Sequence, residues 1–173
     1  MMDRQGQRPS GFTLVEIIIV VLVLMIAAAV VIPSIGSAAD SQVASATRVL
    51  ACDMEAARSL ALTTQQPHTV LFSADKQSYK VVENYGGGAY GTAVPIDHPV
   101  RATDPFEVTL ARMNGMSRVV VTDVDFADET FVTFDSQGQA SNSGTVSLAA
   151  GSFRMQVSVE ALTGVVSVNS VSP

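Results

Sequence analysis

Few residues in this chain are placed to do chemistry, and Glu16 is the most telling of them. It opens directly onto Ile17 to Ile32, a run reading IIIVVLVLMIAAAVVI with no polar residue. A carboxylate carried to hydrocarbon depth costs about 2.5 kcal/mol or more unless it is paired. A chain that keeps one there needs a positively charged partner for it. The other candidates are weaker. His68 follows Pro67 and His98 lies between Asp97 and Pro99, neither with a companion at metal-ligand spacing. Asp123, Asp125, Asp128 and Glu129 form an acidic patch in which Asp123 and Asp125 share one strand face. Oxygen ligation of calcium is conceivable there, and a solvated face is the simpler reading. Asp135, Gln137, Gln139 and Asn142 place oxygens around Gly138 without the acidic density of a calcium loop. Ser10, Ser34 and Ser37 have no base nearby in sequence. The glycines Gly86, Gly87, Gly88 and Gly91 are not followed by a helix signal, so they form no phosphate loop. Cys52 reads as a small, semi-buried thiol rather than a reactive one. The residues therefore imply no enzyme, no cofactor, no metal and no small-molecule substrate, and they single out Glu16.

The elements that must position these groups follow from pattern. From Phe12 to Ile35 a helix would extend roughly 36 Å at about 1.5 Å per residue, enough for a bilayer core of about 30 Å. Arg4 and Arg8 precede it and place the N-terminus on the cytoplasmic side, with the rest of the chain outside. Pro33 removes one helical hydrogen bond and predicts a kink rather than an end. A second helical stretch runs from Ser37 to Thr64. Its stripe of Val43, Leu50, Met54, Ala57 and Ala61 predicts one face packed on a sheet, with Arg48, Asp53, Glu55 and Arg58 largely off it. Pro67 stops the helix.

Beyond Pro67 the pattern changes to strands. His68–Phe72 and Ser78–Val82 flank a turn-rich connector and form a hairpin. Residues 84–105 are a long Gly- and Pro-rich loop, of the kind that is often functional or mobile. Strands are expected at Phe106–Leu110, at Arg118–Phe126 with Val120, Thr122, Val124 and Phe126 on one side, and at Thr130–Phe134. Thr145–Ala149 and Phe153–Val159 form a second hairpin, and Val165–Val171 closes the chain. The fold class is α+β: a long N-terminal helix continuing into an amphipathic helix packed on two small antiparallel sheets. The expected segments are residues 1–11, 12–36, 37–66 and 67–173.

Composition narrows the functions. At 173 residues the chain has room for one domain beyond the helix. Loss of Asp3, Arg4 and Arg8 with residues 1–11 would take its 10 basic and 16 acidic side chains to 8 and 15, and its net charge from −6 to −7. An acidic domain lacks the clustered Lys and Arg that nucleic acid requires. One cysteine allows no intrachain disulfide, so the core alone must hold the fold.

Gly11, then Phe12-Thr13-Leu14-Val15-Glu16, with basic residues before and an apolar run after, resembles the N-terminus of type IV pilins and type II secretion pseudopilins. The resemblance implies cleavage by a prepilin peptidase between Gly11 and Phe12, N-methylation of Phe12, and pairing of Glu16 with the amino terminus of a neighbouring subunit in a fibre. It also implies that a proline near Pro33 bends the helix. RVLACDMEAARSLALTTQQPHTVLF, Phe134-Asp135-Ser136-Gln137-Gly138 and Leu162-Thr163-Gly164-Val165-Val166 resemble the H-type minor pseudopilins and their minor-pilin cousins. Val165 departs from the arginine usual after that Thr-Gly turn. The expected protein is a minor pseudopilin of a type II secretion system, single-pass in the inner membrane with its C-terminal domain in the periplasm. Its partners are other pilin-like subunits and the peptidase. A minor type IV pilin for adhesion, motility or DNA uptake is the alternative within the superfamily. Outside it stands a secreted β-rich binding protein, released by an ordinary signal peptidase after Ser37-Ala38-Ala39 so that Asp40 is its first residue.

Overall fold

The computed structural model describes residues 12–171 apart from residue 102, and over residues 29–38 it describes the backbone alone. The leader, with Gly11, lies outside the described residues. Two compact units are present, one ending at Ser37 and the other beginning at Ala38. Helix α1, Leu14–Thr64, contributes to both, and its helical backbone continues through Pro33 without an end there.

In the first unit every described side chain from Phe12 to residue 28 is exposed. Among the described residues no helix is long and apolar enough to cross a membrane. The apolar run read from the sequence reaches Ile32, beyond the last of these described side chains.

The second unit places the remainder of α1 with two four-stranded antiparallel sheets. The strands are β1 (His68–Phe72), β2 (Ser78–Glu83), β3 (Glu107–Thr109), β4 (Val120–Asp125), β5 (Phe131–Phe134), β6 (Gly144–Ala150), β7 (Phe153–Val159) and β8 (Val166–Ser170). One sheet has the order β3-β2-β1-β5, the other β4-β6-β7-β8. Both expected hairpins form, with Phe72 opposite Tyr79 in the first and Ala150 opposite Phe153 in the second.

The helical stripe does what its spacing predicts. Val43, Leu50, Met54, Ala57 and Ala61 are fully buried, joined by Ala46 and by Thr47, whose hydroxyl donates to the Val43 carbonyl at 2.7 Å. The apolar side chains of this face share one cluster with Phe72 and Tyr79 of the first sheet and with Val146, Leu148 and Val157 of the second. The helix ends as expected: Gln65 takes a left-handed φ of 57° and its side chain donates back to the Leu62 carbonyl at 2.7 Å.

Three expectations are corrected. Val120, Thr122, Val124 and Phe126 do not share a side, because a bulge between Val121 and Asp123 shifts the register. Val124 and Phe126 are buried, whereas Val120 and Thr122 face solvent. Cys52 is exposed rather than semi-buried. The third strand is only three residues long and gives way to a 3-10 turn at Leu110–Arg112.

The long loop is tied down. The Ile96 amide donates to the Val81 carbonyl at 2.9 Å and the Phe106 amide to the Ile96 carbonyl at 2.7 Å. Lys80, buried despite its charge, donates to the Ala93 carbonyl at 2.7 Å and lies 4.2 Å from the centre of the Tyr90 ring. The Tyr90 hydroxyl donates to Glu107 at 2.9 Å, and burial pushes its pKa up to about 12.

Candidate assembly site

Three arrangements are built around α1. The first is its start. Thr13 is the N-cap: its side-chain oxygen accepts from the Glu16 amide at 3.2 Å, and its carbonyl accepts from the Glu16 and Ile17 amides at 3.1 and 3.2 Å. Thr13-Leu14-Val15-Glu16 therefore has capping-box spacing, a signal that the emphasis on Glu16's charge passed over. Glu16 sits in the first turn, where the helix dipole favours a negative charge. Its side chain is exposed, and no described basic side chain pairs with it. Phe12 lies outside the helix and is 79% exposed. The geometry thus presents an uncommitted carboxylate one turn inside a capped helix, with an exposed residue before the cap. Such an end can meet a positive group brought by another chain.

The second arrangement is a lock between α1 and the sheets. Arg58 donates through Nε to the Gly138 carbonyl at 3.0 Å and through Nη2 to the Thr163 carbonyl at 2.8 Å. Glu55 accepts from Arg58 at 3.4 Å and from the Val166 amide at 3.2 Å. The turns carrying Gly138 and Gly164 both need left-handed backbone, with φ of 78° and 63°. A Cβ at Gly164 would strike the Gly138 carbonyl oxygen. The sequence strings 134–138 and 162–166, far apart along the chain, thereby converge on one arginine of α1. Val165 is exposed beside this lock.

In the third, Asp53 couples α1 to the first sheet. The Tyr79 hydroxyl donates to its carboxylate at 2.6 Å. Burial raises the Asp53 pKa above its ordinary value, against the lowering effect of that hydrogen bond and of His98 and Arg101 nearby. Tyr79 is held well above the usual phenol value, chiefly by burial and then by the neighbouring Asp53 charge.

The remaining candidate residues are not assembled into a site. Among the described residues no three His, Cys, Asp or Glu side chains are grouped to hold a metal. Asp123 pairs with Lys76 at 3.1 Å, and Asp125 accepts from the Asp128 amide at 3.3 Å. Asp135 accepts from the Gln137 and Gln139 amides at 2.9 Å, which closes its own turn. His68 is buried with its Nδ1 2.9 Å from the Gln66 carbonyl oxygen, and the His98 ring packs 4.5 Å from Phe106.

Comparison with known proteins agrees with these features. The family described as Type II transport protein GspH matches residues 46–163, and the prokaryotic N-terminal methylation motif matches residues 7–32. No curated protein matches the chain in sequence. In structure it is similar to the minor pseudopilin EpsH of the Vibrio cholerae type 2 secretion system. The TM-score is 0.56 at 10% identity, covering 75% of this chain and 97% of that one. It is similar to the type IV minor pilin FimU of Pseudomonas aeruginosa, with a TM-score of 0.54 at 13% identity, covering 75% and 89%. At such identities these likenesses show the fold. The family match spans more than half the chain, so the chain belongs to the Type II transport protein GspH family and carries the prokaryotic N-terminal methylation motif.

Proposed function

We propose that the chain is a minor pseudopilin, a non-enzymatic structural subunit of the periplasmic pseudopilus of a type II secretion system. The observation that carries this reading is the union, in one chain, of the methylation motif at residues 7–32 and the GspH family match at 46–163. Prepilin peptidase cuts between Gly11 and Phe12, and the new Phe12 amino group is methylated. The apolar segment of 12–36 anchors the subunit in the inner membrane as a single pass, and Pro33 loosens it. The domain beyond it stands in the periplasm.

Assembly is the mechanism. Transfer from lipid to a helical bundle exchanges one apolar surrounding for another, so that step supplies little discrimination by itself. The Glu16 carboxylate supplies order and register by meeting the methylated amino group of a neighbouring subunit. Exposure of Phe12 and the absence of a described basic partner for Glu16 support this reading. Mass spectrometry of the membrane-extracted protein tests it, with methylated Phe12 expected as the first residue. A mature chain beginning at Asp40 would overturn it in favour of an ordinary secreted protein.

A second reading, a minor type IV pilin, is favoured by the fold shared with FimU. Deletion of the gene separates the two: loss of protein secretion supports the pseudopilin, and loss of pili or motility supports the pilin. A DNA-uptake role is opposed by the net charge of −6.

A further inference from the structure

We propose that the outer edge of β8 accepts an extended strand from a neighbouring fibre subunit, continuing the second sheet. The two sheets have four edge strands, and three of them are closed. The β3 edge is three residues long. At β5 the Ser141 amide donates to the Thr133 carbonyl at 2.8 Å, and Phe134 bridges to Ala140. The β4 edge carries the bulge, Asp123 and Asp125, and Lys76 reaches across to the Thr122 carbonyl at 3.4 Å. Bulges, charges, short strands and covering segments are the devices by which proteins prevent edge pairing. β8, reading Val-Ser-Val-Asn-Ser, has no charge, no proline and no bulge.

The register defines which backbone groups are open. Val165 accepts from the Glu160 amide, and the Val171 amide donates to Arg154, so odd-numbered residues of this segment face β7. Val166, Val168 and Ser170 therefore direct their amides and carbonyls outward. Of these the Val166 amide is taken by Glu55 at 3.2 Å. Among the described residues, nothing bonds to the outward groups of Val168 and Ser170. Val168 is 38% exposed and sits opposite fully buried Val157, so the apolar layer also stops short at this edge.

These features specify the occupant. Strand addition uses the backbone ladder for affinity and alternate side chains for specificity. The incoming strand places an apolar residue beside Val168 and polar residues on the side of Ser167 and Asn169. It carries a basic residue at the end that passes Glu55, whose carboxylate remains partly exposed. A second copy fits poorly, because it brings the same Glu55 and the same net charge of −6. The identity of the partner as a fibre subunit rests on the function proposed above; the open edge does not.

The test is amide hydrogen exchange on the full chain in detergent, alone and co-assembled with the other pilin-like subunits of its system. The Val168 and Ser170 amides are expected to slow by about tenfold or more on co-assembly only. Val168→Pro removes an outward amide, the position where an edge strand tolerates proline. It is expected to abolish protection at Ser170 and block co-assembly, leaving the melting temperature and Phe12 processing unchanged. If that variant fails to melt cooperatively, Val168→Lys, which keeps the amide and adds an edge charge, is expected to block in the same way. Unchanged exchange in the co-assembled sample overturns the proposal, as does co-assembly of Val168→Lys at the wild-type level. Protection in the chain alone overturns the assignment to another subunit in favour of a second copy. A mature N-terminus at Asp40 overturns both the fibre reading and this partner. Methylated Phe12 with unprotected β8 overturns this proposal alone.

Discussion

At the scale of single residues, Glu16 and Asp53 are opposite cases of a carboxylate under constraint. Glu16 is exposed in the isolated subunit, and on the function proposed above its constraint arises in the apolar bundle. Glu16→Gln keeps shape and hydrogen bonding but removes the charge, leaving the partner amino group uncompensated at about 3–5 kcal/mol. The expected outcome is intact membrane insertion and abundance, with subunit crosslinking and secretion lost; wild-type crosslinking by the glutamine form would refute the pairing. Asp53 is constrained within the domain. Its raised pKa means that the folded state binds the proton more tightly than the unfolded state. Its contribution is therefore most favourable below the ordinary value of 3.8 and is lost as pH rises through the raised value. Asp53→Asn still accepts from the Tyr79 hydroxyl and carries no charge to bury. Thermal melts are expected to place it level with or above wild type near neutral pH, with the gap closing in acid. A gap that widens in acid would contradict the assignment.

At the scale of elements, the lock on α1 gives a sharper test than the core does. Arg58 serves two carbonyls on turns that differ in sequence position, a task for a planar fork rather than a point charge. Arg58→Lys is expected to recover only part of the stability lost in Arg58→Ala, about 1.5–3 kcal/mol for bonds to a charged group. Gly164→Ala should cost at least about 1–2 kcal/mol from the left-handed backbone alone, and more because the new methyl group meets the Gly138 carbonyl. Circular-dichroism melts measure both, and a Gly164→Ala variant melting with wild type would remove the turn from the lock. The elements differed in how far they could be read from sequence. The stripe from Val43 to Ala61 was legible because helical spacing alone decides which side chains enter the core. The hairpins were legible from turn residues between apolar runs. The bulge after Val121 was not, because one extra residue in a strand leaves the local composition unchanged and declares itself only against its partner strand. Cys52 was misread for a related reason: it neighbours stripe positions in sequence but faces solvent. The motifs of the lock were visible as strings, whereas their meeting at Arg58 is a property of topology.

At the scale of the whole molecule, the compact unit beginning at Ala38 contains the apolar cluster and both sheets. A fragment of residues 40–173 is expected to fold as a soluble monomer with one cooperative thermal transition, its acidic surface opposing association. Aggregation that only detergent reverses would count against that boundary. The way this unit is closed also bears on the order of events in the cell. The bonds from Arg58 to Thr163 and from Val166 to Glu55 join residues 105 and 111 positions apart. Contacts so distant along the chain form late, because a long loop must close before they contribute. The last of the described strands is thus also the one that seals α1. Until β8 docks the chain has a helix and hairpins but no finished lock. The domain therefore becomes rigid only when its two ends meet, and on the function proposed above that closure precedes entry into a fibre.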